Sequence, residues 1–118
     1  MTIISWSFNE PETIEILKEI KPNERYKENR SHIRPNSYDI SKTITRKFNT
    51  PSGDGETMHY KLPRCLTCRE AARIQSFDDD FIFYSDNISK IRLQIGNAVP
   101  PLIAQLFAEK IKNLLDNL

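Results

Sequence analysis

The sequence predicts an α+β fold of short elements that ends in a long amphipathic helix. Two patterns support this. Residues 41–48 alternate well enough for a strand, and residues 58–62 predict a second one. From Pro101 onward, apolar residues recur at intervals of three and four, the period of one helix face: Leu102, Ile103, Leu106, Phe107, Ile111, Leu114 and Leu115. With 118 residues, 38% of them hydrophobic, the chain suits one domain with a modest core.

The first half of the chain contains few regular elements. Residues 1–8 predict a short strand, and Pro11 opens a helix through Ile20 whose residues Ile14, Leu17 and Ile20 share one face and should dock. Residues 21–40 are polar and read as loop, and residues 49–56 form a second, turn-rich loop.

A short helix begins at Thr67. Thr67 and Glu70 have the spacing of a capping box, in which each side chain accepts from the backbone amide of the other residue. Arg69 and Arg73 lie one turn apart on this helix. A functional interpretation is that they contact DNA phosphate or clamp a recognition domain. The structural alternative is that they form salt bridges to Glu70 or to acidic residues of a neighbouring segment.

The last part of the chain predicts two more helices. Residues 87–94 form a short helix that stops at Gly96, a residue that tolerates positive φ. Residues 81–84 form an apolar run that we expect to be buried. Pro100 and Pro101 start the final helix, about 25 Å long, whose apolar stripe needs a covering partner.

Charge is unevenly distributed. Residues 21–47 hold eight basic side chains against three acidic ones, a local net of +5 within a chain of net charge +1. Aromatic residues are interleaved, which suits phosphate contact with stacking, although a solvated loop is the plainer alternative. We predict no membrane segment and no signal peptide, and therefore a cytoplasmic protein.

Cys65 and Cys68 form a Cys-x-x-Cys pair. Two cysteines cannot complete a zinc site, and His32 and His59 lack finger spacing, so we expect no metal and incidental thiols.

Two longer motifs carry the strongest signal. Residues 64–77 read RCLTCREAARIQSF, and residues 94–101 read QIGNAVPP. In order and spacing they resemble the last two motifs of the DNA cytosine-5 methyltransferases, whose first motif usually continues with a proline where this chain has Asp78. The resemblance covers residues 41–118 and leaves the first forty residues unmatched. It implies the C-terminal part of an S-adenosylmethionine-dependent methyltransferase α/β fold.

The resemblance also implies roles for particular residues. Gly96, Asn97 and Ala98 would bind S-adenosylmethionine by closing its pocket, and double-stranded DNA would be the partner. Candidate DNA contacts are Arg69, Arg73, Arg46 and Lys47. Residues 1–62 would form part of the target-recognition and connecting region, including the basic segment 21–47, and residues 63–118 the C-terminal motifs and closing helix.

The family's catalytic blocks are not found in these 118 residues. Its chemistry uses a thiolate from a Pro-Cys block, a glutamate in Glu-Asn-Val, an Arg-x-Arg and a Phe-x-Gly-x-Gly cofactor loop, and none of these occurs here. We therefore expect no catalytic residue in this chain. The leading hypothesis is a C-terminal piece or small subunit of a restriction-modification methyltransferase, inactive without a catalytic N-terminal partner. The alternative is a non-enzymatic remnant or DNA-binding module.

Overall fold

The computed structural model describes residues 11–24, 33–48 and 58–118 of the chain. These residues form four helices: α1 (Pro11–Glu19), α2 (Cys68–Ile74), α3 (Ile88–Asn97) and α4 (Pro101–Asp116). No strand is present within the described ranges, where one isolated antiparallel bridge joins Met58 and Cys65. The described part is therefore mainly helical, and the α+β expectation is not met there.

The two strands predicted at residues 41–48 and 58–62 are wrong, because the backbone turns in both places. Thr45 accepts the Phe48 amide at its carbonyl (3.1 Å) and the Lys47 amide at its hydroxyl (3.3 Å), which closes a turn. His59 Nδ1 accepts from the amides of Lys61 (3.1 Å) and Leu62 (3.0 Å), which bends the chain after the bridge. Side-chain acceptors compete here with a sheet ladder. The predicted strand at residues 1–8 and the loop at 49–56 lie outside the described residues.

Helix α1 begins at Pro11 as predicted and ends one residue before Ile20. Leu17 and Ile20 are buried, so the predicted apolar face does dock. The chain then reverses through Lys21 to Glu24, where the Glu24 amide donates to the Lys21 carbonyl (3.0 Å). Asn23 has φ 64°, as position three of a type II turn requires, and Pro22 precedes it.

Arg34 is a buried arginine that fastens α1 to the bend at residues 59–62. It is 5% exposed. Its guanidinium donates to the carbonyls of Leu17 (2.5 Å) and Ile20 (2.6 Å) at the end of α1, and to three carbonyls of the bend at 3.3–3.5 Å, those of His59, Tyr60 and Leu62. Burial lowers the pKa of Arg34. This member of the basic segment therefore faces inward, where it satisfies carbonyls that end a helix and line a turn.

Two apolar clusters form the core. The smaller one joins α1 to the bridge residues: Leu17, Ile20, Met58 and Cys65. The larger one packs α2 against α3 and the turn at residues 45–48: Ile44, Phe48, Leu66, Cys68, Ala71, Ala72, Ile91 and Ile95. Each cluster contains residues from both predicted regions of the chain, 1–62 and 63–118.

Helix α4 stands apart from both clusters. Every one of its residues is exposed, including the whole predicted apolar stripe. The run at residues 81–84, which was expected to be buried, is also largely exposed, with Tyr84 at 82%. Phe77, Phe81 and Phe83 instead pack on one another with ring centroids 4.9–5.0 Å apart. The described chain lacks a layer that would cover these surfaces.

No helix in the described ranges is long and apolar enough to cross a membrane.

We expect Arg34→Met to lower the free energy of unfolding by about 2–3 kcal/mol, because buried carbonyls lose a charged donor. The matched control is Arg46→Met, which removes an exposed arginine from the same basic segment and should change stability by about 0.5 kcal/mol or less. Urea unfolding of both variants measures the difference. Equal, small losses in the two variants would show that the Arg34 hydrogen bonds add nothing.

Candidate functional site

The start of α2 is held by an interlocked set of polar contacts. The Glu70 amide donates to Thr67 Oγ1 (3.2 Å), and the Thr67 amide donates to Glu70 Oε2 (2.8 Å), so the predicted capping box is confirmed. Arg64 adds a bidentate pair that the sequence did not reveal, with its two terminal nitrogens 2.8 and 2.7 Å from the Glu70 oxygens. A planar guanidinium matches a carboxylate in this way and fixes its orientation.

These contacts change the titration of Glu70 and its neighbours. Hydrogen bonds from Arg64 hold the pKa of Glu70 at about 2, although partial burial opposes the shift. The same bonds raise the pKa of Arg64. His59 Nε2 lies 3.8 Å from Glu70, yet burial and then the nearby Arg64 charge lower the pKa of His59. The carboxylate therefore binds Arg64 and caps the start of α2, while His59 Nδ1 accepts from two backbone amides.

Helix α2 ends in a Schellman motif centred on Ser76. The Phe77 amide donates to the Ala72 carbonyl (3.0 Å) and the Ser76 amide to the Arg73 carbonyl (2.9 Å). Ser76 has φ 64°, a left-handed conformation that glycine or asparagine usually supplies. The end of α2 therefore points the side chains of Gln75 and Ser76 towards the junction of α3 and α4.

Gln75 and Ser76 contact the two sides of that junction. Gln75 Nε2 donates to the Ile95 carbonyl (3.0 Å), and Ser76 Oγ accepts from the Leu102 amide (3.2 Å). Between these contacts lie the last two residues of α3, the link to α4 and Pro101, the first residue of α4. We call residues 96–100 the junction turn. Its first three residues are Gly96, Asn97 and Ala98, the predicted cofactor-binding stretch, which we call the cofactor wall.

Gly96 does not end α3 as predicted, because the helix runs from Ile88 to Asn97 with Asn87 as its N-cap and Ala98 as its C-cap. The reason for glycine is packing. A Cβ at Gly96 would meet the backbone of Thr45 and Arg46, 2.5 Å from the Thr45 carbonyl carbon, closer than real Cβ atoms come. The missing side chain thus lets α3 rest directly on the turn at residues 45–48.

The other two residues of the cofactor wall lie at the surface. Asn97 is exposed and Ala98 is half-buried, with the Ala98 amide donating to the Ile95 carbonyl (3.3 Å). Arg46 and Lys47 are exposed in the turn that abuts Gly96. The fold therefore places a basic turn beside the cofactor wall, although the two stretches are distant in sequence.

Arg69 and Arg73 both contact the segment after α2. Arg69 donates to the carbonyls of Asp78 (3.3 Å) and Phe81 (2.9 Å), and Arg73 pairs bidentately with Asp79 at 2.6 and 2.9 Å. The pair lowers the pKa of Asp79 and raises that of Arg73. The Arg73–Asp79 pair is the salt bridge of the structural alternative, whereas Arg69 donates to backbone carbonyls and forms no such pair in the described residues. Together the contacts hold the turn that contains Asp78. DNA contact by either arginine stays a prediction.

The two cysteines are buried and lie in different clusters, Cys65 beside α1 and Cys68 beside α3. Burial raises the pKa of the Cys68 thiol, although the nearby Arg92 charge opposes the shift. A buried thiol with a raised pKa is a poor nucleophile. Within the described ranges, no three His, Cys, Asp or Glu side chains are placed to hold a metal ion.

Comparison with known proteins agrees with the motifs. The model of the C-5 cytosine-specific DNA methylase family matches residues 4–113. The type II methyltransferase M1.HphI of Haemophilus parahaemolyticus is 43% identical over 90 residues, which are 72% of this chain and 24% of that protein. M.BbvI of Brevibacillus brevis is 36% identical over 110 residues, which are 91% of this chain and 26% of that protein. No solved structure shows a significant match.

The chain belongs to the C-5 cytosine-specific DNA methylase family. The sequence-based limit of the resemblance to residues 41–118 was too narrow, because the match begins at residue 4 and the M.BbvI alignment covers nearly the whole chain. The chain spans about a quarter of the length of these curated relatives. Membership in this family suggests an S-adenosylmethionine-dependent methyltransferase fold.

We expect Glu70→Gln to remove part of the acid sensitivity of folding. The pKa of Glu70 lies at about 2, below its ordinary value of 4.5. Its contribution to stability is therefore complete above the ordinary pKa and is lost as pH falls towards about 2. In urea unfolding, the stability difference between the unchanged chain and the variant should shrink over that window.

The control for this experiment is Glu15→Gln, which removes an exposed carboxylate paired with Lys18 at 2.7 Å. It should change the free energy of unfolding by about 0.5 kcal/mol or less. A constant difference between the unchanged chain and Glu70→Gln across the acid range would contradict the expectation.

We expect Gly96→Ala to destabilise the chain even though it lies within a helix. At an open helical site this change would stabilise by about 1 kcal/mol. Here the added Cβ meets backbone atoms of Thr45 and Arg46, which cannot rotate away. Overpacking of this kind costs about 1–3 kcal/mol or more, so we expect a net loss. Ser89→Ala, at an exposed position of α3, is the control, and a net gain at Gly96 would refute the close approach.

Proposed function

We propose that this chain supplies the C-terminal portion of a DNA cytosine-5 methyltransferase. In this role it completes the S-adenosylmethionine pocket and contributes part of the DNA-recognition region. The observation that carries the proposal is the position of the cofactor wall. Gly96 and Asn97 end α3 and Ala98 is its C-cap. The residues that flank the junction turn are hydrogen-bonded to Gln75 and Ser76, directly after α2, in a chain that belongs to this family.

The three residues of the cofactor wall have different proposed roles. The missing side chain of Gly96 is accounted for by its contact with Thr45 and Arg46, so cofactor contact falls to Asn97 and Ala98. The exposed Asn97 carboxamide offers a donor and an acceptor, and Ala98 offers a small apolar surface. These groups suit a ligand with polar and apolar parts. S-adenosylmethionine supplies the methyl group when bound.

The catalytic residues come from sequence outside these 118 residues. A Pro-Cys nucleophile block is not part of the chain, and both of its cysteines are buried in clusters. The exposed apolar stripe of α4 is consistent with a further layer of protein that covers it. We therefore propose a catalytic N-terminal portion as the partner and expect the chain to be inactive without it.

A second candidate function is DNA binding without catalysis. Lys42, Arg46 and Lys47 are exposed, which favours phosphate contact, whereas Arg34 of the same segment is buried. A module of this kind would bind DNA in a strongly salt-dependent way with no effect of S-adenosylmethionine. A filter-binding series across salt, with and without the cofactor, separates this candidate from the first.

The test of the methyltransferase proposal is a chimera in which this chain replaces the aligned 110 residues of M.BbvI. We expect the chimera to transfer tritiated methyl groups from S-adenosylmethionine to cytosine in DNA. The M.BbvI remainder alone and this chain alone should transfer none. In the chimera, Asn97→Ala should raise KM for the cofactor about fivefold, the value of one hydrogen bond.

The matched control is Asn117→Ala, which removes an asparagine after the last turn of α4. It should leave the cofactor KM unchanged. Methylation of cytosine by the pure chain would refute the dependence on a catalytic portion, and an inactive chimera would refute the proposal as a whole.

A further inference from the structure

We infer that Gln75 and Ser76 are positioning residues that clamp the junction turn from both sides. Gln75 Nε2 donates to the Ile95 carbonyl before the turn (3.0 Å), and Ser76 Oγ accepts from the Leu102 amide after it (3.2 Å). The two clamp residues are adjacent in sequence and follow α2 directly. One rigid support therefore holds the start and the end of the turn that contains the cofactor wall.

The contact at Leu102 replaces a cap that α4 lacks. The first amides of a helix have no partner within the helix and are usually satisfied by the side chain of the N-cap residue. The N-cap of α4 is Pro100, which makes no side-chain cap, and Pro101 has no amide proton. Ser76, distant in sequence, supplies the hydroxyl acceptor instead.

Ser76 has a backbone conformation that is unusual for a residue with a side chain. The residue has φ 64°, where glycine would be more comfortable, because a side chain in this region is strained. Glycine would satisfy the Schellman motif but would leave the Leu102 amide without its acceptor. Serine at this position adopts the strained backbone conformation and also keeps the hydrogen bond to α4.

The clamp fixes the wall relative to α2, which is itself anchored by Glu70 and packed on α3. Asn97 and Ala98 lie between the two contacts, so loss of either contact removes one of the restraints on their position. The effect on the cofactor rests on the proposed function, whereas the clamp itself belongs to this chain alone.

The first measurement is hydrogen exchange of the Leu102 amide in the full chain, followed by NMR. Ser76→Gly removes the hydroxyl and also relieves the positive φ, so the fold and the thermal midpoint should be preserved or improved. Exchange at Leu102 should nevertheless rise on the order of fivefold, as expected for one lost hydrogen bond. The exchange rate of the Gln75 amide, which donates to the Ala71 carbonyl (3.0 Å) at the end of α2, should be unchanged.

The control for the serine is Ser85→Gly. Ser85 Oγ accepts the Asn87 amide (3.1 Å) at the opposite end of α3, so its removal should leave exchange at Leu102 as it was. Gln75→Glu tests the other side of the clamp, because a carboxylate keeps the side-chain length but cannot donate to the Ile95 carbonyl.

The second measurement uses the chimera with M.BbvI. Ser76→Gly and Gln75→Glu should each raise KM for S-adenosylmethionine about fivefold while kcat stays within about twofold, as for the loss of a group that positions bound cofactor. Ser85→Gly should change neither value. If the role of Ser76 were merely structural, Ser76→Gly would lower the thermal midpoint, and KM would not rise selectively over the change in kcat.

Each outcome has a distinct meaning. Unchanged exchange at Leu102 in Ser76→Gly overturns the clamp. Faster exchange with an unchanged cofactor KM overturns its role in positioning the wall. An inactive chimera with the unchanged sequence overturns the proposed function, and the exchange experiment still decides the clamp.

Discussion

Glu70 accepts two hydrogen bonds from the Arg64 guanidinium and one from the Thr67 amide at the start of α2. Much of the described structure depends on this arrangement. Arg64 leads into the bridge residue Cys65 and so into the cluster beside α1, whereas Thr67 opens the helix that packs on α3. A single half-buried carboxylate thus joins the two apolar clusters. Its low pKa records how strongly the fold favours the charged form.

Polar contacts carry much of the organisation because the apolar clusters are small. Arg34 fastens α1 to the bend at residues 59–62, and Gln75 and Ser76 fasten the junction turn to α2. These bonds satisfy backbone groups at helix ends and in turns. Without a partner, such groups would destabilise the fold when they are shielded from water. The apolar stripe of α4 stays exposed, because the described chain has no layer to cover it.

The same contacts give the candidate site its shape. Gly96 lets α3 rest on the turn that carries Arg46 and Lys47, so a basic surface and the cofactor wall become neighbours. Under the proposed function, this closeness would bring the phosphate backbone of DNA near the methyl donor. Under the proposed function, the helices around the site act as a frame, and the reactive groups would come from the larger portion of the protein that this chain does not span.

The sequence alone determined the local features: the capping box of Thr67 and Glu70, the start of α1 at Pro11, the long α4, and the family itself. Each depends on residues close together along the chain. Tertiary structure decided the rest. Arg34 stands in a polar segment that predicts a loop, but α1 and the bend bury it. Gly96 was predicted to stop α3, but its missing side chain instead lets the helix pack on the backbone at residues 45 and 46. Two of the predicted strands, at residues 41–48 and 58–62, contain turns. The role of Ser76 was equally hidden, because a hydroxyl that caps a distant helix leaves no periodic signal. Contacts between distant segments set burial and pairing, and local sequence does not encode them.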